Sequence, residues 1–247
     1  MLKQVQHDGQ ELSRYRRAMH RPLRLTIDRS AIQANWRWLQ DRAGVPAGAA
    51  VKADGYGLGA REAAEALIEA GCRDFFVSTW FEAEQLGNLP ESVSLVVLHG
   101  VGADDVEAAL RLPARPCLNS AEQVARWKEI APERPCDVMV DTGMNRLGLR
   151  PDETAVLDGL TVDTLHSHLA CADEDSAMNA RQLEAFRGVA AEVLAKRYSM
   201  ANSAGICLGR DYSFDLVRPG LSLYGGIPRA EAEGAWLRRR TRMRPPR

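Results

Sequence analysis

Lysine is almost never fully buried, yet Lys52 follows directly on the apolar run Ala47–Val51 and opens the segment Lys52-Ala53-Asp54-Gly55-Tyr56-Gly57-Leu58-Gly59. Apolar surroundings disfavour an ammonium relative to the free amine, so a lysine at the mouth of a buried strand is shifted toward a nucleophile able to form a Schiff base with a carbonyl. The three glycines let the chain turn tightly, and Tyr56, four residues on, is within reach of an anion held beside the amine. A surface lysine and a packing tyrosine fit this segment as well, so by itself it nominates a site without establishing one.

A strand end needs a sheet behind it. The chain alternates short apolar runs with longer amphipathic ones, the pattern of strand and helix units around a parallel sheet. It predicts strands at Ala47–Val51, Asp74–Thr79, Ser94–Leu98, Arg115–Leu118, Cys136–Asp141, Val162–His168, Tyr198–Met200 and Phe214–Val217. Helices are predicted at Ala31–Arg42, at Ala60–Ala70 closing on Gly71, behind a Ser120/Gln123 capping box, and at Ala177–Lys196. This arrangement predicts an α/β fold, a (β/α)8 TIM barrel, whose chemistry sits at the C-terminal ends of the strands. A doubly wound sheet is the competitor, but its G-x-G-x-x-G turn is absent after the first strand.

With 45% hydrophobic residues and a formal net charge of −1, the composition suits a soluble globular chain. No run of about 18 apolar residues could span a bilayer, and the leader 1–21 is polar, without the apolar core of a secretory signal. The expected location is the cytoplasm, and the leader is expected to be disordered. Five cysteines (Cys72, Cys117, Cys136, Cys171 and Cys207) form no C-x-x-C pair. They read as reduced thiols, mostly buried, with no structural zinc site.

Residues 22–28 alternate apolar and polar side chains like a half-buried strand, yet precede the first barrel helix, so this strand needs a partner outside the barrel. The tail 229–247 carries seven arginines and two glutamates with almost no apolar residues, which predicts a disordered basic end rather than a nucleic-acid arm.

Taken in order, five segments resemble the motif set of bacterial alanine racemases. They are Val51–Gly59, Val140-Asp141-Thr142-Gly143-Met144-Asn145-Arg146-Leu147-Gly148, His166-Ser167-His168-Leu169-Ala170, Asn202-Ser203-Ala204-Gly205 and Arg218-Pro219-Gly220-Leu221-Ser222-Leu223-Tyr224-Gly225. The resemblance covers 22–228 and implies the pyridoxal-phosphate-binding barrel of that family, an isomerase acting on small amino acids. Lys52 would then hold the cofactor covalently and serve as one of two bases at the substrate Cα, and Tyr56 would hydrogen-bond the phosphate. Ser203, the N–H groups of Ala204 and Gly205, and Gly220 with Leu221 would surround the phosphate, where barrels commonly bind one. Arg218 would face the pyridine nitrogen, able to donate to it but not to protonate it. Arg146 would reach the cofactor's phenolic oxygen and the substrate carboxylate. His168 would lie against the cofactor ring, and Asn202 would be a neighbouring pocket residue.

His166 and His168 are two apart on a strand and point the same way. Such a pair also begins the metal site of amidohydrolase-type barrels, but only His99 is available beyond the leader's His7 and His20. No metal is expected.

The chain departs from the family pattern twice. Met139 stands where many relatives carry a lysine that orients the arginine equivalent to Arg146, so another group must orient it. The family also continues past Tyr224 into a β-rich domain that supplies the opposing tyrosine base to the partner subunit of a homodimer, and strand 22–28 would pair with that domain. The expectation is therefore a racemase barrel lacking its C-terminal β domain, with little turnover, through loss of frame near Trp236; the alternative is a stand-alone barrel that binds pyridoxal phosphate without racemising.

Overall fold

The computed structural model describes residues 24–229 and 241–244, and the leader lies outside the described residues. The backbone divides into two compact units, with Arg24–Ile27 and Thr241–Arg244 in one and the chain from Asp28 in the other. In the small unit, β1 (Arg24–Ile27) pairs antiparallel with Thr241–Arg244, Arg24 opposite Arg244 and Ile27 opposite Thr241. This corrects the expectation that the tail is wholly without structure, and it gives β1 a partner from its own chain. Backbone N–H and C=O groups along an open strand accept any extended segment, and such pairing needs no apolar core. Arg229, the first tail residue, is also built in: it is buried, donates to the carbonyls of Ala172 (2.7 Å) and Glu174 (2.8 Å), and pairs with Asp175.

The large unit carries a seven-stranded parallel sheet in sequential order: β2 (Ala49–Ala50), β3 (Asp74–Val77), β4 (Ser94–Val97), β5 (Arg115–Leu118), β6 (Cys136–Met139), β7 (Val162–His166) and β8 (Arg197–Ser199). The predicted eighth strand closes the ring by hydrogen bonds rather than as a regular ladder. Asp215 N–H donates to Tyr198 O (3.0 Å) and Arg218 N–H to Ala201 O (2.8 Å) on one side; on the other, Gly48 N–H donates to Val217 O (2.9 Å) and Val217 N–H to Pro46 O (3.1 Å). Positive φ at Phe214 (49°) and the missing N–H of Pro219 keep this segment from extending the sheet.

Helices lie between the strands, with ends set by the expected residues. Arg29–Ala43 is capped by the Asp28 carboxylate and stopped by Gly44 in the left-handed region, and Ala60–Ala70 is stopped in the same way by Gly71. Ser120 caps Ala121–Ile130, but the Gln123 side chain accepts from Asn119 N–H (2.9 Å) instead of completing the box on Ser120. The predicted long helix stops at Glu192. Among the described residues, no helix is long and apolar enough to cross a membrane. All five cysteines are free thiols; burial raises the pKa of Cys72 and of Cys136 to about 12.

Ala50, Phe76, Val96, Cys117, Met139 and Leu216 fill the barrel interior. Beside them runs a chain of alternating charges. His166 Nε2 lies 2.9 Å from Asp137 Oδ2, Arg115 bridges Asp137 (2.9 Å) and Asp163 (3.0 Å), and Arg197 bridges Asp163 (3.1 Å) and Asp74 (2.9 Å). His166 and Asp137 are almost completely buried. Burial first, and then the charge of Arg218, lower the His166 pKa from 6.5 to about 4 against the pull of Asp137.

Two predictions concern stability. The unfolded chain takes up a proton at His166 near pH 6.5 and the native chain only near about 4, so stability falls on acidification through that window, by at most about 1.4 kcal/mol per pH unit for such a group. Urea unfolding across this range should have a shallower pH slope in His166→Gln, and an unchanged slope would refute the assignment. Trp127 is fully sealed and donates to Arg134 O (3.1 Å), so Trp127→Ala should cost about 3–5 kcal/mol in the same measurement.

Candidate active site

The C-terminal ends of the strands open into a cavity of about 520 Å³, and of the eleven residues nominated from the sequence all but Gly205 line it. Lys52 enters from the end of β2 on an unusual turn. Ala53, Asp54, Gly55 and Tyr56 lie consecutively in the left-handed region, with φ between 51° and 61°. For the three that are not glycine this costs about 1 kcal/mol or more each, a strain that only surrounding structure maintains. Ala53 N–H donates to Glu82 Oε1 (2.9 Å), Gly59 N–H to Asp54 O (2.9 Å), and Ala60 N–H to Asp54 Oδ1 (2.8 Å). Glu82 also accepts from Ser78 N–H (2.6 Å), so one carboxylate ties the Lys52 turn to the end of β3. Burial, then the charge of Arg146, lowers the Lys52 pKa, with Glu82 opposing.

The turn carries the Tyr56 ring onto Tyr224, stacked with centroids 4.8 Å apart and planes inclined at 27°. The Tyr224 hydroxyl is committed to Ala50 O (3.0 Å). The Tyr56 hydroxyl reaches over Gly220, where a Cβ would stand 2.2 Å from it. Ser203 is buried, and its Oγ accepts from Gly220 N–H (3.0 Å) and Ser222 N–H (3.2 Å), leaving its own proton to donate elsewhere. Leu221 N–H has no protein acceptor among the described residues. Tyr56 O–H, Ser203 O–H and Leu221 N–H therefore gather at one end of the cavity. The expected N–H donors of Ala204 and Gly205 are not free in this arrangement: both donate to Asn202 Oδ1, at 3.0 and 2.9 Å, and so fix the Asn202 side chain.

Arg218 lies at the base of the cavity, 6% exposed. It donates to His166 Nδ1 (3.0 Å), Ser199 Oγ and Ser167 O (2.6 Å). Burial lowers even this guanidinium's pKa, to about 10. His168 faces the cavity, its pKa lowered to about 3 by burial and then by Arg218, Arg146 and Lys52, so it is neutral there. His166 does not face it: both of its ring nitrogens are taken, by Arg218 and Asp137. That leaves the pair no shared metal-binding geometry.

Arg146 sits on a loop folded around Asp141, whose Oδ1 accepts from the N–H groups of Gly143, Met144 and Asn145 at 2.7–3.1 Å. Among the described residues its guanidinium has no hydrogen-bond or ion-pair partner, and Met139 is a neighbouring wall of the cavity. Asp141 thus holds the loop that carries Arg146, without a hydrogen bond to the guanidinium itself. Sequence reasoning missed Glu82, Asp137, Asp141 and Ser199; only their proximity to the nominated motifs could have raised them.

The family model "Alanine racemase, N-terminal domain" matches residues 27–228. The alanine racemase of Rhizobium meliloti is 43% identical over 82% of this chain, which spans 57% of that relative. The alanine racemase of Dinoroseobacter shibae is 44% identical over 85% of this chain, which spans 62% of it. Among solved structures, the alanine racemase from Bartonella henselae with covalently bound pyridoxal phosphate superposes with a TM-score of 0.83 and 36% identity, across 91% of this chain and 66% of that one. The biosynthetic alanine racemase from Pseudomonas aeruginosa gives 0.82 and 32%, with the same coverage. The parallel strands, the lysine at the first strand end and the arginine at the last thus meet in one assignment: this chain belongs to the alanine racemase family and carries its N-terminal barrel domain.

Proposed function

We propose that this barrel binds pyridoxal phosphate through Lys52 and serves the interconversion of L- and D-alanine. The observation that carries the reading is the cavity itself, where a lysine of lowered pKa and the hydroxyls of Tyr56 and Ser203 stand apart from a buried arginine at the base. That donor set fits the group: one end suits a phosphate and the other a ring nitrogen that accepts a hydrogen bond. The Bartonella structure, with the cofactor covalently bound, supports it.

When bound, pyridoxal phosphate acidifies the α-hydrogen of an amino acid by withdrawing electrons through its ring. In this reading Tyr56, Ser203, Gly220 and Leu221 hold the phosphate, His168 and Asn202 shape the ring's pocket, and Arg218 donates to the ring nitrogen. Because arginine keeps its proton, the ring stays a weaker electron sink, which favours return of the proton to Cα over transamination. Arg146, without a protein partner, is available to the substrate carboxylate as a planar two-pronged donor. Lys52 takes or returns the Cα proton on one face.

Racemisation needs a second base on the opposite face. We assign that group to the part of the enzyme that the resemblance identifies as a β-rich domain contributed by the partner subunit of a homodimer. The same reading puts the protein in the cytoplasm, supplying D-alanine for peptidoglycan.

Added pyridoxal phosphate should give the 247-residue chain a visible absorbance band that borohydride fixes to Lys52, and Lys52→Ala should abolish it. In D2O the loaded chain should exchange the α-hydrogen of alanine with little racemisation, again lost in Lys52→Ala. A colourless wild type after reconstitution would sink the reading, and D-alanine formation at an ordinary enzymatic rate would refute the assignment of a single base. A band without exchange would reduce the function to cofactor binding.

A further inference from the structure

The contact between Arg218 and His166 has a direction that chemistry fixes. A guanidinium has donors and no acceptor, so the 3.0 Å approach of Arg218 Nη1 to His166 Nδ1 requires a lone pair on that nitrogen. The ring proton must then be on Nε2, where Asp137 Oδ2 stands 2.9 Å away to accept it. Asp137 is itself held from its other oxygen by Arg115 Nε at 2.9 Å, and Arg115 is anchored in turn by Asp163. His166 and Asp137 are 0% and 1% exposed, so no water competes for these bonds. Phe76 packs edge-on against the imidazole, with centroids 5.9 Å apart.

We infer that His166 is a positioning residue: locked by Asp137 as the neutral Nε2–H tautomer, it aims the Arg218 guanidinium at the base of the cavity. The second arm is Ser167 O and the third Ser199 Oγ, so Nη1 and Nη2 are both fixed. A histidine protonated on Nδ1 instead would set two donors against each other and push the guanidinium out of line. The charge ladder below is what prevents this, because a carboxylate accepts and cannot offer a proton to Nε2. This inference rests on the proposed role of Arg218 toward the cofactor's ring nitrogen, but the lock itself belongs to the protein alone.

The lock is therefore read first without cofactor. Nitrogen-15 spectra of the full chain near neutral pH should show His166 as the neutral Nε2–H form, together with slowly exchanging Arg218 side-chain N–H signals. His166→Leu should lose the Arg218 signals, whereas His166→Gln, whose amide can accept from Arg218 and donate to Asp137, should keep them. Asp137→Asn should shift the surviving tautomer toward Nδ1–H. With pyridoxal phosphate, removal of one charge-assisted bond should weaken binding about tenfold in His166→Leu and move the visible band, with recovery in His166→Gln. A leucine variant too unstable to fold leaves the glutamine and asparagine variants to decide.

An imidazolium or an Nδ1–H form in the wild type would overturn the inference. So would a folded His166→Leu that keeps the Arg218 signals and binds cofactor with the wild-type band. A wild type that shows the lock yet takes up no cofactor would overturn the functional reading and leave the lock standing.

Discussion

A guanidinium sealed from water must find a partner for its charge inside the protein, and at the base of this cavity Arg218 finds three. They come from the ends of two neighbouring strands: His166 closes β7 with Ser167 just beyond it, and Ser199 closes β8. Parallel strands bring their C-terminal ends to one level, so a side chain from the segment that closes the ring meets acceptors at the ends of β7 and β8. Each hydrogen bond to such a buried charge contributes about 1.5–3 kcal/mol, a sizeable share of the stability of a domain. The sheet order and the place of Arg218 are consequently bound together: a shift of register in β7 would turn His166 away from it.

The same requirement explains the charge ladder. Neutral His166 carries the influence of Asp137 to Arg218 without adding a second positive charge beside it. Arg115 and Arg197 then balance Asp137, Asp163 and Asp74 down the sheet, so each buried charge has an opposite neighbour. A ladder of this kind contributes little net stability against an apolar filling. What it contributes here is orientation.

Much of the barrel was legible because burial on both faces leaves parallel strands as continuous apolar runs, and all eight runs fall where strands or strand-like hydrogen bonds occur. Strand ends were less legible. Val51, Ser78 and Asp141 continue the apolar or extended pattern, yet in the fold they leave the sheet to build the mouth, because the turns there answer to long-range partners such as Glu82. The pairing of β1 with Thr241–Arg244 was illegible for a different reason: it is made by backbone groups, which every residue carries. The nominated site residues came together because they lie on the segments that follow β2, β6, β7 and β8 or on the segment that closes the ring, all at one end of the barrel. Their braces did not announce themselves, since a carboxylate such as Asp141, holding three N–H groups, looks in sequence like any polar loop residue.

Lys52, Arg146 and Arg218 give the cavity an excess of positive charge, with His168 kept neutral among them. Burial, and then repulsion from Arg146, push the Lys52 amine toward its free form, which is the form that attacks a carbonyl. The same repulsion favours anions: at an effective dielectric of about 20, opposite unit charges about 6 Å apart attract by about 3 kcal/mol. An anion entering the cavity therefore reverses the pressure on Lys52. It offsets the charge of the arginines and raises the amine's affinity for a proton. In the proposed reading the Lys52 nitrogen can serve as a base only while it is not bonded to the cofactor, so one side chain takes the two tasks in turn.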